Sequence, residues 1–78
     1  MRKYYITDYG LKQVEIVPPS SPSLDDKILA VLADYPEGMT RHELMLYLNY
    51  EESANNISKF QRTLSNLMDT EYVVYEDE

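Results

Sequence analysis

The stretch ESANNISKFQRTLSNLMD, residues 52–69, decides the fold of this 78-residue chain. Its apolar residues recur three or four positions apart, which places them on one face of a helix. These residues are Ile57, Phe60, Leu64 and Leu67. We therefore predict a helix that starts between Ser53 and Ile57 and continues to the end of this stretch.

The opposite face of this helix is polar and has no acidic residue. The chain carries 14 acidic and 7 basic residues, yet no Asp or Glu occurs from Ser53 to Met68. Projection places six polar residues on this face: Asn55, Ser58, Lys59, Arg62, Ser65 and Asn66, with Gln61 and Thr63 on its borders. Arg, Asn and Gln can pair with base edges, and carboxylates would repel phosphates. The face is therefore either a nucleic-acid contact or an ordinary solvated surface.

Two further helices are predicted upstream. Ser23 can cap a first helix, whose apolar stripe ends at the YPEG turn, residues 35–38. TRHE, from Thr40 to Glu43, has the spacing of a capping box and predicts a second helix that ends near Asn49.

The N-terminal segment KYYITDYGLKQVEIV, residues 3–17, has the aromatic and β-branched composition of strands. TDYG offers a turn, with Asp8 to start it and Gly10 to adopt positive φ. We predict a β-hairpin over 1–17, the alternative being one strand and an irregular stretch. A Pro/Ser connector follows at 18–23, and a C-terminal strand, Tyr72 to Tyr75, is expected to pair with the hairpin.

Together these elements predict one α+β domain over 1–78, with three short helices and a small antiparallel sheet. Apolar residues make up 44% of the chain, and there are no cysteines. No apolar run approaches the roughly 20 residues needed to span a bilayer. We expect a cytoplasmic protein that does not bind membranes.

The chain resembles the winged helix-turn-helix family from SLDDKILAVLADYPEGMTRHELMLYL through SKFQRTLSNLMDTEYVV, roughly residues 23–75. The resemblance implies a winged-helix-like fold whose third helix enters the major groove of double-stranded DNA. It also implies a transcriptional regulator. The reading residues that it implies are Ser58, Lys59, Gln61, Arg62 and Thr63, to which the polar face adds Asn55 and Asn66.

Three features depart from that family. The segment between Leu48 and Phe60 is about five residues longer than its usual turn. Glu71 stands where a glycine often precedes the strand. The residues after the predicted strand leave no room for a second wing strand, which the N-terminal hairpin could replace.

The residue types do not support an enzyme. His42 is the only histidine, and with no cysteine the chain lacks a Cys–His or a metal-ligating cluster. Only Gly10 and Gly38 are glycines, so no Gly-rich phosphate loop is present. We expect no cofactor and no metal.

Tyrosine is unusually frequent, at eight residues. Tyrosine is favoured at interfaces because its ring adds contact area and its hydroxyl adds a polar tip. We predict a homodimer in which Tyr4, Tyr5 and Tyr9 form the interface. The alternative function is a protein interaction module, whose net charge of −7 would meet a basic partner protein.

Overall fold

The computed structural model describes residues 2–16 and 23–77, so most of the predicted connector at 18–23 lies outside the described residues. The described residues form four helices and a three-stranded antiparallel sheet. In chain order, the elements are β1 (Arg2–Ile6), α1 (Asp8–Ile16), α2 (Leu24–Asp34), β2 (Met39–Thr40), α3 (Arg41–Tyr47), α4 (Ala54–Asp69) and β3 (Val73–Asp77). The predicted α+β class is confirmed, with one helix more than the three expected.

The sheet has the order β2-β1-β3, so the N-terminal strand lies between the other two. β1 pairs antiparallel with β3 over its whole length, from Arg2 opposite Asp77 to Ile6 opposite Val73. On its other side it pairs with β2, where Tyr4 lies opposite Met39. The predicted pairing of the C-terminal strand with the N-terminal segment is confirmed.

The predicted N-terminal hairpin is wrong. Its first arm is β1, but the expected turn and second arm form α1. The Thr7 hydroxyl accepts a hydrogen bond from the Gly10 amide and so caps this helix. Thr7 is itself anchored far along the chain, because its hydroxyl donates to the Glu71 carbonyl oxygen at 2.7 Å and its amide donates to Tyr72 at 3.0 Å.

Gly10 does not adopt the positive φ predicted for a hairpin turn. It lies inside α1 with an ordinary negative φ, and a Cβ there would meet the Tyr72 carbonyl oxygen and come within 2.8 Å of Ile6. The absent side chain therefore lets α1 lie directly against the turn before β3. Gly38 is the glycine that adopts positive φ, at 91°.

Three predicted helix starts are confirmed. Ser23 caps α2 and Thr40 caps α3, each in a capping box, and Ser53 caps α4 by accepting from the Asn56 amide. α3 and α4 end in the same manner, with a residue of positive φ just beyond the cap: Asn49 at 64° and Glu71 at 65°. The helix predicted to end near Asn49 ends at Tyr47.

The core lies between the sheet and the helices. Its fully buried side chains are contributed mainly by α2, α3 and α4 and include Ile28, Leu29, Leu32, Leu44, Met45, Phe60, Leu64 and Leu67. Val73 from β3 and Tyr4 from β1 close it on the sheet side. This core supports α4 from beneath and leaves its other face outside.

Candidate nucleic-acid interface

The position of α4 is set by its apolar face. Phe60 and Leu64 are completely buried, and Leu67 is 2% exposed. The ring of Tyr50, from the segment between α3 and α4, meets the Phe60 ring edge-on with centroids 5.0 Å apart. Burial of three large side chains contributes about 5–8 kcal/mol of favourable transfer free energy. This helix is therefore held firmly with its polar side outward.

We define the outer face of α4 as its exposed polar side chains between positions 55 and 66, which precede the exposed Asp69 of the last turn. These are Asn55, Ser58, Lys59, Gln61, Arg62, Ser65 and Asn66. Within the described part of the chain, neither Lys59 nor Arg62 forms a salt bridge. Both cations therefore remain available to an anion from outside.

Thr63 lies differently from the other predicted reading residues. It is only 8% exposed, and its hydroxyl donates to the Lys59 carbonyl oxygen at 2.8 Å. On the border of the helix face, a short side chain is easily covered by the neighbouring elements. We therefore leave Thr63 out of the candidate interface.

A cavity of about 490 Å³ lies beside this face and extends to the start of α3. We call it the basic groove, and it is lined by Arg2, Tyr4, Thr40, Arg41, His42, Gln61, Ser65 and Met68. Three of these side chains are basic and none is a carboxylate. In a chain of net charge −7, such a lining differs sharply from the average surface.

Sequence reasoning missed Arg41 and His42 as candidate binding residues, although a signal was present. Arg41 and His42 directly follow the N-cap Thr40 and occupy the first turn of α3. Cations there oppose the helix dipole, which favours acids at this end. Arg41 therefore gains nothing from the dipole of α3.

One acidic side chain, Glu52, contacts both Arg41 and His42 from the segment between α3 and α4. Arg41 lies with Nη1 3.6 Å from Glu52 Oε1, and His42 Nδ1 contacts the same oxygen. The hydrogen bond with His42 and the nearby charge of Arg41 lower the pKa of Glu52, so this group is an anion at neutral pH. Likewise, hydrogen bonds from Thr40 lower the pKa of Glu43 in the capping box.

Arg2 reaches the groove from the sheet. Its Nε lies 3.7 Å from Asp77 Oδ1 across the β1–β3 ladder, and its guanidinium lies 4.4 Å from the centroid of the Tyr75 ring. The ion pair is exposed, so water and salt weaken it. The Tyr75 ring therefore orients Arg2 at the edge of the groove.

A second surface of different chemistry lies on the other side of α3. Leu46 and Tyr47 are 63% and 53% exposed, and the Tyr47 ring packs edge-on against Tyr35 with centroids 5.4 Å apart. We call Tyr35, Leu46 and Tyr47 the α3 patch. The hydrogen bond between the two tyrosines raises the pKa of Tyr35.

The three tyrosines predicted to form a dimer interface do not share one surface. Tyr4 is 7% exposed and belongs to the core, because β1 is the central strand and its inward side chain faces the helices. Tyr5 is half-buried and its ring lies against Gly38. Tyr9 is exposed and packs against Tyr72 at 5.0 Å between centroids. Only Tyr9 offers substantial area to a second copy.

Among the described residues, no group of three or more His, Asp or Glu side chains is placed to hold a metal ion. None of the described helices is both long enough and apolar enough to cross a bilayer. No protein-family model, curated protein or solved structure matches the chain. The resemblance to winged helix-turn-helix proteins therefore stays a prediction.

Proposed function

We propose that this chain is a small, non-catalytic DNA-binding protein of the cytoplasm that regulates transcription with α4 in the major groove. The outer face of α4 carries this proposal. From Asn55 to Asn66 it presents seven polar residues, two of them cations without a salt bridge among the described residues, and the one carboxylate of the helix, the exposed Asp69, lies in its last turn. A helix of 16 residues fits the major groove, where Arg, Asn and Gln can pair with base edges.

The basic groove supports the same function, because DNA binding needs phosphate contacts as well as base contacts. Arg41 and His42 lie at the start of α3, next to Gln61 and Ser65 of α4. A DNA strand that follows the edge of the major groove would pass this groove while α4 contacts the bases. Base readout and phosphate contact would then come from adjoining surfaces.

The topology also agrees with a winged-helix-like arrangement. From α2 onward the element order is helix, short strand, helix, helix, strand, and the three helices and the final strand follow the order that the resemblance implies. β1 lies between β2 and β3 and would supply the missing sheet strand, as the predicted hairpin was expected to do. Glu71, where the resemblance leads us to expect glycine, adopts positive φ, at 65°.

The test is a fluorescence anisotropy titration of mixed-sequence duplexes of about 25 base pairs at about 50 mM salt. We expect the variant Lys59→Gln/Arg62→Gln to bind about 10- to 100-fold more weakly, with a salt slope reduced by about two. Its matched control is Lys12→Gln/Lys27→Gln, which removes two exposed cations from α1 and α2. Loss of net charge alone should weaken the control less than about threefold.

Failure of the unaltered protein to bind any duplex at about 10⁻⁴ M would exclude the proposal, because even non-specific DNA binding is tighter than that. Equal weakening in the two double variants would also count against α4. It would mean that overall charge, and not this face, decides binding.

A second candidate function is a protein interaction module, and the α3 patch favours it. Leu46 and Tyr47 expose apolar area beside Glu37 and Glu43, which suits a partner with apolar and basic groups. Affinity capture with the unaltered chain and with Leu46→Ser/Tyr47→Ser separates the functions. A protein retained only by the unaltered chain would support this candidate.

The homodimer also stays a proposal, now with Tyr9 as its remaining exposed tyrosine. Two copies related by a two-fold axis could place two α4 helices on successive turns of a duplex. Sedimentation equilibrium of the unaltered chain and of Tyr9→Ser measures the oligomeric state directly. A monomer at about 100 µM would contradict the proposal.

A further inference from the structure

Glu52 is the acidic residue in contact with Arg41 and His42 of the basic groove, whereas Arg2 pairs with Asp77. Glu52 lies in the segment between α3 and α4, and one carboxylate oxygen contacts both Arg41 and His42. A single anionic oxygen shared by an arginine and a histidine resembles the way in which proteins hold a phosphate oxygen. Its neighbour Glu51 carries the same charge and forms no ion pair within the described residues.

The groove itself continues beyond this contact. Arg41 and His42 line it together with Gln61 and Ser65 of α4, whereas Glu52 does not. Arg41 is also held by a hydrogen bond from Nη1 to the sulfur of Met45 at 3.0 Å. Arg41 therefore has a support that does not depend on Glu52.

We infer that the basic groove is a binding site for a backbone phosphodiester of nucleic acid and that Glu52 occupies Arg41 and His42 in the unbound protein. This inference deepens the proposed function and rests on it for the identity of the ligand. The Glu52 side chain is 40% exposed and lies on a segment without regular secondary structure, so it can move away. Phosphate would then replace the carboxylate at Arg41 and His42.

The two anions compete because both are attracted to the same side chains. Glu52 Oε1 lies 3.6 Å from Arg41 Nη1, which is an ion-pair distance and longer than a hydrogen bond, so a phosphate that hydrogen-bonds to the guanidinium could displace it. If both remained nearby, the phosphate would also meet the negative charge of Glu52. Glu52 therefore lowers the affinity for DNA, because its carboxylate must leave Arg41 and His42 before a phosphate can bind there.

The experiment compares Glu52→Gln with the matched control Glu51→Gln, which changes net charge equally one residue away. In the anisotropy titration at about 50 mM salt, we expect Glu52→Gln to bind duplex DNA about 5- to 10-fold more tightly and with a salt slope steeper by about one. We expect Glu51→Gln to change affinity less than about twofold. Adding Arg41→Gln to Glu52→Gln should remove the gain.

A second titration does not depend on DNA. Inorganic phosphate is added to ¹⁵N-labelled protein, and the amide signals of Arg41 and His42 are followed. We expect Glu52→Gln to saturate at several-fold lower phosphate than either the unaltered chain or Glu51→Gln. These spectra also show that each variant is folded.

The outcomes separate the two proposals. Phosphate binding that is tighter only in Glu52→Gln, without DNA binding by any variant, would support the anion site and exclude the proposed function. DNA binding that is equal in Glu52→Gln and Glu51→Gln, with equal phosphate titrations, would overturn the inference and leave the function standing. Weaker DNA binding by folded Glu52→Gln would also overturn it.

Discussion

The basic groove and the pocket beside the α3 patch lie on two sides of one short helix and have nearly the same volume, about 490 and 510 Å³. Their linings differ in chemistry. The groove has three basic side chains and no carboxylate, whereas the pocket combines Glu37 and Glu43 with apolar groups and Lys3. Because the two volumes are nearly equal, the size of each pocket does not indicate which kind of partner it would bind. Charge and hydropathy separate a surface for a polyanion from one for an apolar or basic partner.

The largest effect on stability is expected from a substitution in the hydrophobic core, because this core supports both surfaces. Phe60 is completely buried beneath α4, so Phe60→Ala should lower the free energy of unfolding by about 3–5 kcal/mol. Urea denaturation measures this loss. The matched change at the surface is Leu46→Ala in the α3 patch, which should cost less than about 0.5 kcal/mol. If Leu46→Ala lowered the free energy of unfolding as much as Phe60→Ala, the Leu46 side chain would have to be buried against other residues.

A smaller effect is expected at Thr40, which caps the helix shared by the two surfaces. Its hydroxyl accepts from the Glu43 amide at 3.2 Å, so Thr40→Ala should lower stability by about 1 kcal/mol. Thermal unfolding checks this value. Thr40→Ser keeps the hydroxyl and should recover most of the loss. If serine fails to do so, packing and not capping explains the effect.

Glu71→Gly should raise stability by about 0.5–1 kcal/mol, because a glycine has no Cβ to strain at positive φ. The residue ends α4 but does not line the groove, so DNA affinity should change less than about threefold. Asn49→Gly at the end of α3 is the control, with a smaller gain expected because asparagine tolerates this conformation. Equal gains at the two sites would contradict this explanation.

The smallest effect is expected on DNA affinity when the α3 patch is altered, which tests whether the two surfaces act separately. Leu46→Ser/Tyr47→Ser alters the α3 patch without touching the groove lining, so affinity for duplex DNA should change less than about twofold. The same titration measures this change. A drop as large as that of Lys59→Gln/Arg62→Gln would mean that DNA contacts both sides of α3.

The candidate site was predictable where a single helix defines it and not where segments meet. The period of α4 alone predicted its outward residues, and six of the seven named reading residues are exposed. Thr63 lies at the border of the face, where neighbouring elements decide exposure. Arg41 was missed because the start of α3 approaches α4 only in the folded chain.

The sequence by itself determined the elements whose signals lie within one or two helical turns. Ser23, Thr40 and Ser53 start α2, α3 and α4 through hydrogen bonds to amides three residues away. Such bonds form wherever the local sequence allows, because they need no distant partner. The apolar period of α4 is equally local.

Only the tertiary structure decided the conformation of residues 8–16. Lys12 and Gln13 favour a helix, whereas Val14 and Ile16 favour a strand, so local preference is divided. The helix is stabilised by contacts about 60 positions away: Thr7 bonds to the turn before β3, and the Tyr72 hydroxyl donates to Gln13 at 3.3 Å. Where local preference is divided, the chain adopts the conformation that buries more surface and pairs more backbone groups. For residues 8–16 the groups that decide this are about 60 positions away, so they come into contact only in the folded chain.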